Sequence, residues 1–450
     1  MNTDKKKLRW QPNSDAVAYL LLFTISSFPV VYSLMLGKHL SGDGTLYFTS
    51  ILDTGNFTYF AWSRKFANLL TEWPVVLAVK LQVKTIPSLI NLYGIGIYSP
   101  YVLSFLICIY AVRKEHSSLL TFPLLSILGI NLSGDYLLFG EHHVMVLLSW
   151  PILLLLLRRE SLDWLDGLLL WTLLLLFSRT YESAIIPATI FSLILLAKTY
   201  AARKHRKLLS VYSISLALSL STILIGLYFI VNPRDPANKL SFISGIINGL
   251  LGNGGALVTA SFACLSTMGL ILGKKAIALA SLIPLIIYIF FALLNGHGHT
   301  AYESFTSRTL TSSLLPFLLV CAICHRGYNA NPSGNSAKIL IVIVVSMALV
   351  NLHFARDWIN LRKQVIDILT ANHGYISLEK TSVKDSPYRW YWNNPGLGII
   401  WSYPCVKSIL LNTPDTKWEP FNPRKKLILK EYIGYDIFFR GADKRTRICR

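Results

Sequence analysis

The residues most able to do chemistry are few and stand apart from one another. Gly140-Glu141-His142-His143 puts a carboxylate beside two imidazoles at the start of a short apolar run, the groups that general acid and base catalysis uses. Adjacent residues on a helix point about 100° apart, so the two rings do not converge on one cation. Hydrogen bonding or acid and base work by Glu141 and His142 comes ahead of a metal site, and polarity at a helix mouth explains the same string. Asp43, in Ser41-Gly42-Asp43-Gly44, is a second candidate base, since a carboxylate can take the proton of an attacking hydroxyl. Capping of a short helix from Thr45 to Leu52 is the competing reading of Asp43. Asp53-Thr54-Gly55-Asn56 reads as a turn.

Two tripeptides repeat: Tyr181-Glu182-Ser183 with Arg179 nearby, and Tyr302-Glu303-Ser304 with Arg308 nearby. Arg suits a phosphate, and Glu can position the Arg or a hydroxyl. Arg179, Glu182, Glu303 and Arg308, together with Arg64 farther upstream, are therefore candidate contacts to a phosphate-linked ligand. Ion pairs that merely join helices give the same pattern. Tyr181, Tyr302, Trp390 and Trp392 can stack on sugar rings, whose C–H faces are apolar. The last two lie in Tyr388-Arg389-Trp390-Tyr391-Trp392-Asn393-Asn394-Pro395, whose composition a membrane-interface aromatic belt also explains. His297 and His299 share a Gly-rich loop, and Arg234-Asp235 lies between prolines.

The elements that must position these residues follow from composition. The chain has 450 residues, 53% hydrophobic and only 15% charged, with a mean hydropathy of +0.48. A soluble domain carries about 25% charge. The 43 Lys and Arg against 23 Asp and Glu sit mostly in short clusters between apolar runs, the positive-inside pattern of a multi-spanning membrane protein and not a nucleic-acid surface. Lys5 to Arg9 precede an apolar run from about Ala16 to Leu36 that is too long for a signal peptide. Further runs centre near Leu103, Leu125, Leu153, Leu173, Leu193, Leu218, Cys264, Pro284, Leu318 and Val344, about eleven spans in all.

The expected fold is therefore an all-α polytopic membrane protein with a cytoplasmic N-terminus. Residues 1–355 form the bundle, with a first outer loop over residues 37–98, and residues 356–450 form a small mixed domain on the outer face. Within that loop, Leu46 to Leu52 and Phe57 to Leu70 read as helical, the second either lying along a bilayer or packed as a connector. Trp358 to Thr370 reads as an amphipathic helix, and Leu397 to Ser402 and Val406 to Leu411 as strands or buried apolar pieces. Leu162 to Lys198 must supply two crossings and a turn in 37 residues, barely enough for a core of about 30 Å. Its polar turn then sits below the membrane surface, buried in protein or lining a wet cavity. The run from Val144 to Leu157 is also short, which draws Glu141 and His142 toward the same depth. Cys321 and Cys324 lack a second pair at zinc spacing, while Cys405 and Cys449 can bridge in an oxidising compartment.

This layout, with Asp43 opening the first outer loop and Glu141-His142 in a later one, resembles the GT-C superfamily of membrane glycosyltransferases. It is most similar to bacterial enzymes that modify O-antigen, cell-wall glycan or pilin. The resemblance implies a bacterial inner-membrane location, a periplasmic active face, a polyprenyl-phosphate sugar donor and a glycan or protein acceptor. It casts Asp43 as the base in an inverting transfer, with Arg64, Arg179 or Arg308 stabilising the leaving phosphate. No cofactor is fixed; a divalent cation, Mg or Mn, is left open, with no residue assigned to it. The competing classes are a flippase or transporter of an anionic lipid or solute, and an O-antigen polymerase or ligase.

Overall fold

The computed structural model describes residues 14–41, 43–58, 62–83, 85–112, 117–132, 141–158, 162–232, 315–326, 334–372, 374–384, 397, 400–401 and 408–411. Among them the chain is mostly helical: α1 (Ser14–Met35), α2 (Asp43–Thr54), α3 (Lys65–Lys80), α4 (Ile86–Ala111), α5 (Thr121–Leu132), α6 (Glu141–Leu156), α7 (Trp164–Phe177), α8 (Ile185–Ala201), α9 (Arg206–Val231), α10 (Leu315–Arg326) and α11 (Gly334–Ala371). Short β1 (Gly374–Ser377) and β2 (Ser408–Leu411) pair in parallel. Each apolar run expected from hydropathy falls on a helix here, except those centred at Cys264 and Pro284, which lie outside the described residues.

Among the described residues, four helices are long and apolar enough to cross a membrane: Val17–Met35, Ile86–Ala111, Glu182–Lys204 and Lys207–Phe229. Their surfaces are arranged for an apolar solvent. On α9, Ser215, Ser219 and Thr222 are buried while Leu220, Leu224 and Leu227 are exposed. Ser219 donates to the Ala188 carbonyl of α8 at 2.9 Å and accepts from Ser192 at 2.9 Å. Small polar residues inside and leucines outside is how helices associate where lipid leaves no hydrophobic driving force between them. Along α1, Leu21, Ile25, Phe28 and Tyr32 form a second exposed stripe.

α6 sits at the centre. Every residue from Glu141 to Leu156 is buried, and the helix packs against α3, α4, α5, α7 and α8. Its surroundings split into two apolar clusters. One joins α1, α2, α3, α4 and α11, and the other joins most of α6 with α7, α8, α9 and α10.

The stretch over residues 37–98 departs from expectation in two ways. The second helical piece does not span Phe57 to Leu70: a single 3-10 turn, Trp62–Arg64, leads into α3, which continues to Lys80. Pro74 lies inside α3, where a proline removes a helix hydrogen bond. Packing against α4 carries the helix through instead, because Gly96 leaves room beside the Thr71 carbonyl and the Pro74 ring. α4 begins at Ile86, so its helix starts well before Tyr98. Ala67, Val75, Val76 and Ala78 bury one face of α3, while Leu69, Trp73 and Leu77 stay exposed, which makes α3 a packed connector with an apolar outer side. α2 begins at Asp43 itself and ends at Thr54. Gly55 then turns the chain at φ 65°, its N–H donating to the Ile51 carbonyl at 2.8 Å, a left-handed helix end open to glycine.

The helix expected over Trp358 to Thr370 is the second half of α11, which runs unbroken through residues 355 and 356. It presses Trp358, Leu361, Val365 and Leu369 into the core. Trp358 Nε1 donates to the Leu36 carbonyl at 3.1 Å, at the end of α1. Its ring meets Trp401 edge-on at 5.3 Å.

Candidate functional site

Three separate segments meet beside the start of α6. The 3-10 turn before α3 supplies Ser63 and Arg64, the N-terminus of α6 supplies Glu141 and His142, and the turn between α7 and α8 supplies Tyr181 and Glu182. α7 has only 14 residues, so that turn stays within the helical bundle. There Phe66 N–H donates to the Arg179 carbonyl at 3.0 Å, tying the first loop to the turn through its backbone.

Arg64 is the hub. Its Nε lies 3.2 Å from Glu182 Oε1, one of its terminal nitrogens lies 3.6 Å from Glu141 Oε2, and its guanidinium stacks 4.7 Å over the Tyr181 ring. Ser63 Oγ donates to the same Glu182 oxygen at 2.6 Å. Burial works to lower the Arg64 pKa, but Glu141 and Glu182 outweigh it and hold the value well above the ordinary one. The guanidinium is permanently charged, and its fork geometry suits two carboxylates at once. Tyr47, one turn beyond Asp43 on α2, donates its hydroxyl to the other Glu141 oxygen. Both oxygens of Glu141 are thus engaged.

The His142 and His143 rings lie 3.9 Å apart, closer than their expected divergence suggests, and His142 is 5.7 Å from Tyr181. Among the described residues no group of three or more His, Cys, Asp or Glu is placed to hold a metal. Arg179 is half-buried, and among the described residues its guanidinium has no hydrogen bond or ion pair. Of the two arginines, Arg64 is committed to carboxylates, and Arg179 has no carboxylate partner among the described residues.

Glu72 was not singled out by sequence. Its carboxylate is fully buried on α3, with Oε2 accepting from Thr58 N–H at 2.7 Å and Oε1 without a partner among the described residues. Asn68, one turn earlier, donates to the Thr58 carbonyl. Burial pushes the Glu72 pKa well above the usual carboxylate range; the Thr58 bonds oppose this and the charge of Glu141 adds to it. Asn68 and Glu72, four apart on one face, were the available signal, hidden because α3 was expected to stop at Leu70.

Next to the cluster, α2, α3, α4 and α6 border a small cleft with room for about one water. Tyr47, Tyr93 and Tyr101 line it with Asn68, Glu141 and His143. None of the tyrosines was a sequence candidate.

The structure therefore brings Arg64, Glu141, His142, Tyr181 and Glu182 together, with Arg179 on the same turn. Asp43 is placed by its backbone as the first residue of α2. Glu303, Arg308, Tyr302, Trp390 and Trp392 lie outside the described residues, as do His297, His299, Arg234, Asp235, Cys405 and Cys449.

A second buried ion pair marks the opposite ends of these helices. Arg158 pairs with Asp166 at 2.6 Å, Tyr110 donates to the same carboxylate at 2.9 Å, and Lys198 donates to the Arg158 carbonyl at 3.0 Å. No protein family matches this chain, and neither the curated proteins nor the solved structures contain a significant match to it.

Proposed function

We propose that the chain is an inverting membrane glycosyltransferase that moves a sugar from a polyprenyl-phosphate donor to an acceptor hydroxyl on the outer face. The observation that carries this reading is the convergence of the Arg64, Glu141 and Glu182 clasp, an Arg179 with no ion pair among the described residues, and three tyrosines at one end of the helices. An arginine for a phosphate, tyrosines for a sugar ring and an apolar flank for a lipid chain are together what a lipid-linked sugar calls for.

In this reading Asp43 takes the proton of the acceptor hydroxyl. The freed oxygen attacks the anomeric carbon, the bond from that carbon to the phosphate oxygen breaks, and polyprenyl phosphate leaves with the electron pair. Arg179 stabilises the charge on the leaving phosphate. Glu141 and Tyr47 orient the sugar beside Asp43, and Arg64 keeps the first loop fixed to the turn. Glu303 and Arg308 belong to the donor side, and Tyr302, Trp390 and Trp392 to the acceptor side.

The topology that goes with it has about eleven spans, the N-terminus in the cytoplasm, and residues 356–450 on the periplasmic side of a bacterial inner membrane. The separation of two polar clusters supports it, with Arg158, Lys198 and Asp166 at one end and Glu72, Glu141 and Glu182 at the other.

The test is transfer of label from a set of polyprenyl-phosphate sugars to whole-cell glycoconjugates, comparing the wild-type chain with Asp43→Asn at matched membrane abundance. Transfer lost in the variant supports the reading. Equal transfer by both removes Asp43 from the mechanism, and labelled lipid appearing on the far leaflet without any glycoconjugate favours a carrier.

A further inference from the structure

The connection between α8 and α9 gathers positive charge at the end of two apolar helices. Arg203-Lys204-His205-Arg206-Lys207 joins two segments that are each long and apolar enough to cross a membrane. The connection is tight: a 3-10 turn, Ala202–Lys204, follows α8 directly, His205 N–H donates to the Ala202 carbonyl at 2.8 Å, and α9 begins at Arg206. Arg203, Lys204 and Lys207 are exposed, and none of them has an ion pair among the described residues. The carboxylates at the neighbouring start of α7 are engaged elsewhere. Asp166 holds Arg158 at 2.6 Å, and Asp163 caps α7 by accepting from the Asp166 N–H at 2.8 Å.

Positive charge in a short loop is enough to orient a span, but orientation alone does not require the surroundings these cations have. On the outer side of α8, Leu196, Tyr200 and Arg203 follow one another at spacings of four and three, and all three are exposed. The Arg203 guanidinium stacks 4.5 Å over the Tyr200 ring, which holds that cation beside an aromatic face. Gly167 of α7 lies against Val211 of α9, so Trp164, one turn before Gly167, stands level with the first turn of α9. Trp164 and Leu165 are exposed there as well. From the helix bodies outward the surface therefore passes from leucine to aromatic ring to cation. A phospholipid presents acyl chain, glycerol and phosphate in that order, and interfacial Trp and Tyr with Lys and Arg beyond them match it. A soluble anion would use the cations and leave the leucines and rings without a role.

We propose that this connection binds the headgroup of an anionic phospholipid, with Arg203, Lys204 and Lys207 around its phosphate and Leu196 and Tyr200 along its chains. The site lies at the far end of α8 from Glu182 and the Arg64 clasp, so it stands whether or not the chain transfers a sugar.

The experiment is native mass spectrometry of the purified full-length protein in detergent, titrated with phosphatidylglycerol, with phosphatidylcholine of the same chains, and with glycerol phosphate as a competitor. Phosphatidylglycerol is expected to be retained in preference to phosphatidylcholine. The triple variant Arg203→Gln, Lys204→Gln, Lys207→Gln should weaken that retention by roughly tenfold or more and leave phosphatidylcholine unaffected. A second triple variant, Lys363→Gln, Lys380→Gln, Lys384→Gln, removes the same charge from other exposed positions and should retain phosphatidylglycerol as wild type does. Lys204→Gln with Lys207→Gln, which keeps the Arg203 stack on Tyr200, serves if the first triple variant does not fold.

Equal retention of the two lipids by the wild-type chain overturns the proposal, as does full retention of phosphatidylglycerol by the first variant. An equal loss in both triple variants replaces the site with general charge attraction. Displacement of the lipid by glycerol phosphate at matched concentration makes it an anion site and overturns the lipid assignment.

Discussion

Arg64 and Glu182 are 118 residues apart in the chain, yet the Arg64 Nε lies within hydrogen-bond distance of both Glu182 oxygens, at 3.2 and 3.3 Å. This contact, with Glu141 on the other side of the guanidinium, fastens the first loop to the turn between α7 and α8. Arg64→Ala leaves two carboxylates facing each other without their cation. The pair is about a quarter exposed on each side, so the expected loss is below that of a fully buried pair, about 1–3 kcal/mol. Thermal unfolding of the purified protein in detergent reads this as a lowered midpoint, with Glu182→Gln losing less because Ser63 can still donate to the amide oxygen. A midpoint equal to wild type for Arg64→Ala contradicts the clasp.

Glu72 predicts a pH dependence of stability. Its pKa in the fold is raised, chiefly by burial, so the folded chain binds that proton more tightly than the unfolded chain does. The contribution is therefore full below the ordinary carboxylate range and is lost as pH rises through the folded value. Glu72→Gln keeps the shape and an acceptor for the Thr58 N–H while removing the titration. A pH series of melting midpoints should show a flatter decline toward alkaline pH in the variant, with Glu141 unchanged in both proteins. Parallel curves would mean that Glu72 is ionised in the fold.

His39 acts in the opposite direction. It is fully buried at the start of the first loop, its Nε2 donating to the Ile90 carbonyl at 2.9 Å, and burial lowers its pKa to about 4 despite bonds to the Ile90 and Leu34 carbonyls. The neutral ring is the folded form, so its contribution is present above the unfolded pKa of about 6.5 and is lost as pH falls from there toward 4. The difference amounts to on the order of 3 kcal/mol across that window. His39→Gln retains a donor toward Ile90 and should remove most of this acid sensitivity, measured as the change in melting midpoint between neutral and mildly acid buffer.

Gly96 sets the distance between α3 and α4. A Cβ there would lie 2.0 Å from the Thr71 carbonyl oxygen and 2.8 Å from Pro74 Cδ. Since the first of these is backbone, Gly96→Ala must push the helices apart, a cost of about 1–3 kcal/mol or more. A lower melting midpoint of the purified protein is the expected result, and a midpoint equal to wild type contradicts the close approach.

Helix positions were legible in the sequence because each apolar run is long compared with its breaks, as at α4, α8 and α9. What escaped was the interior of the first loop. The second helical piece was expected to stop at Leu70, and the contact of Thr71 and Pro74 with Gly96 on α4 accompanies its continuation to Lys80. The cleft tyrosines were hidden for a related reason. Tyr93 and Tyr101 lie in an apolar helix where an aromatic residue signals core or interface, and only the approach of α2 and α6 turns them into a wall. Arg64 was chosen as an anion contact, and the structure shows it already held by two carboxylates that no local pattern linked to it.

The most direct test reconstitutes the purified full-length chain in liposomes with a labelled polyprenyl-phosphate sugar and an acceptor glycan on the accessible face, and follows the label into either product or the opposite leaflet. The account predicts label in the acceptor with inversion at the anomeric carbon, and loss of that product by Arg179→Ala and Asp43→Asn while both variants melt as wild type does. Label that crosses the bilayer still attached to its lipid, with no bond formed to any acceptor, contradicts it.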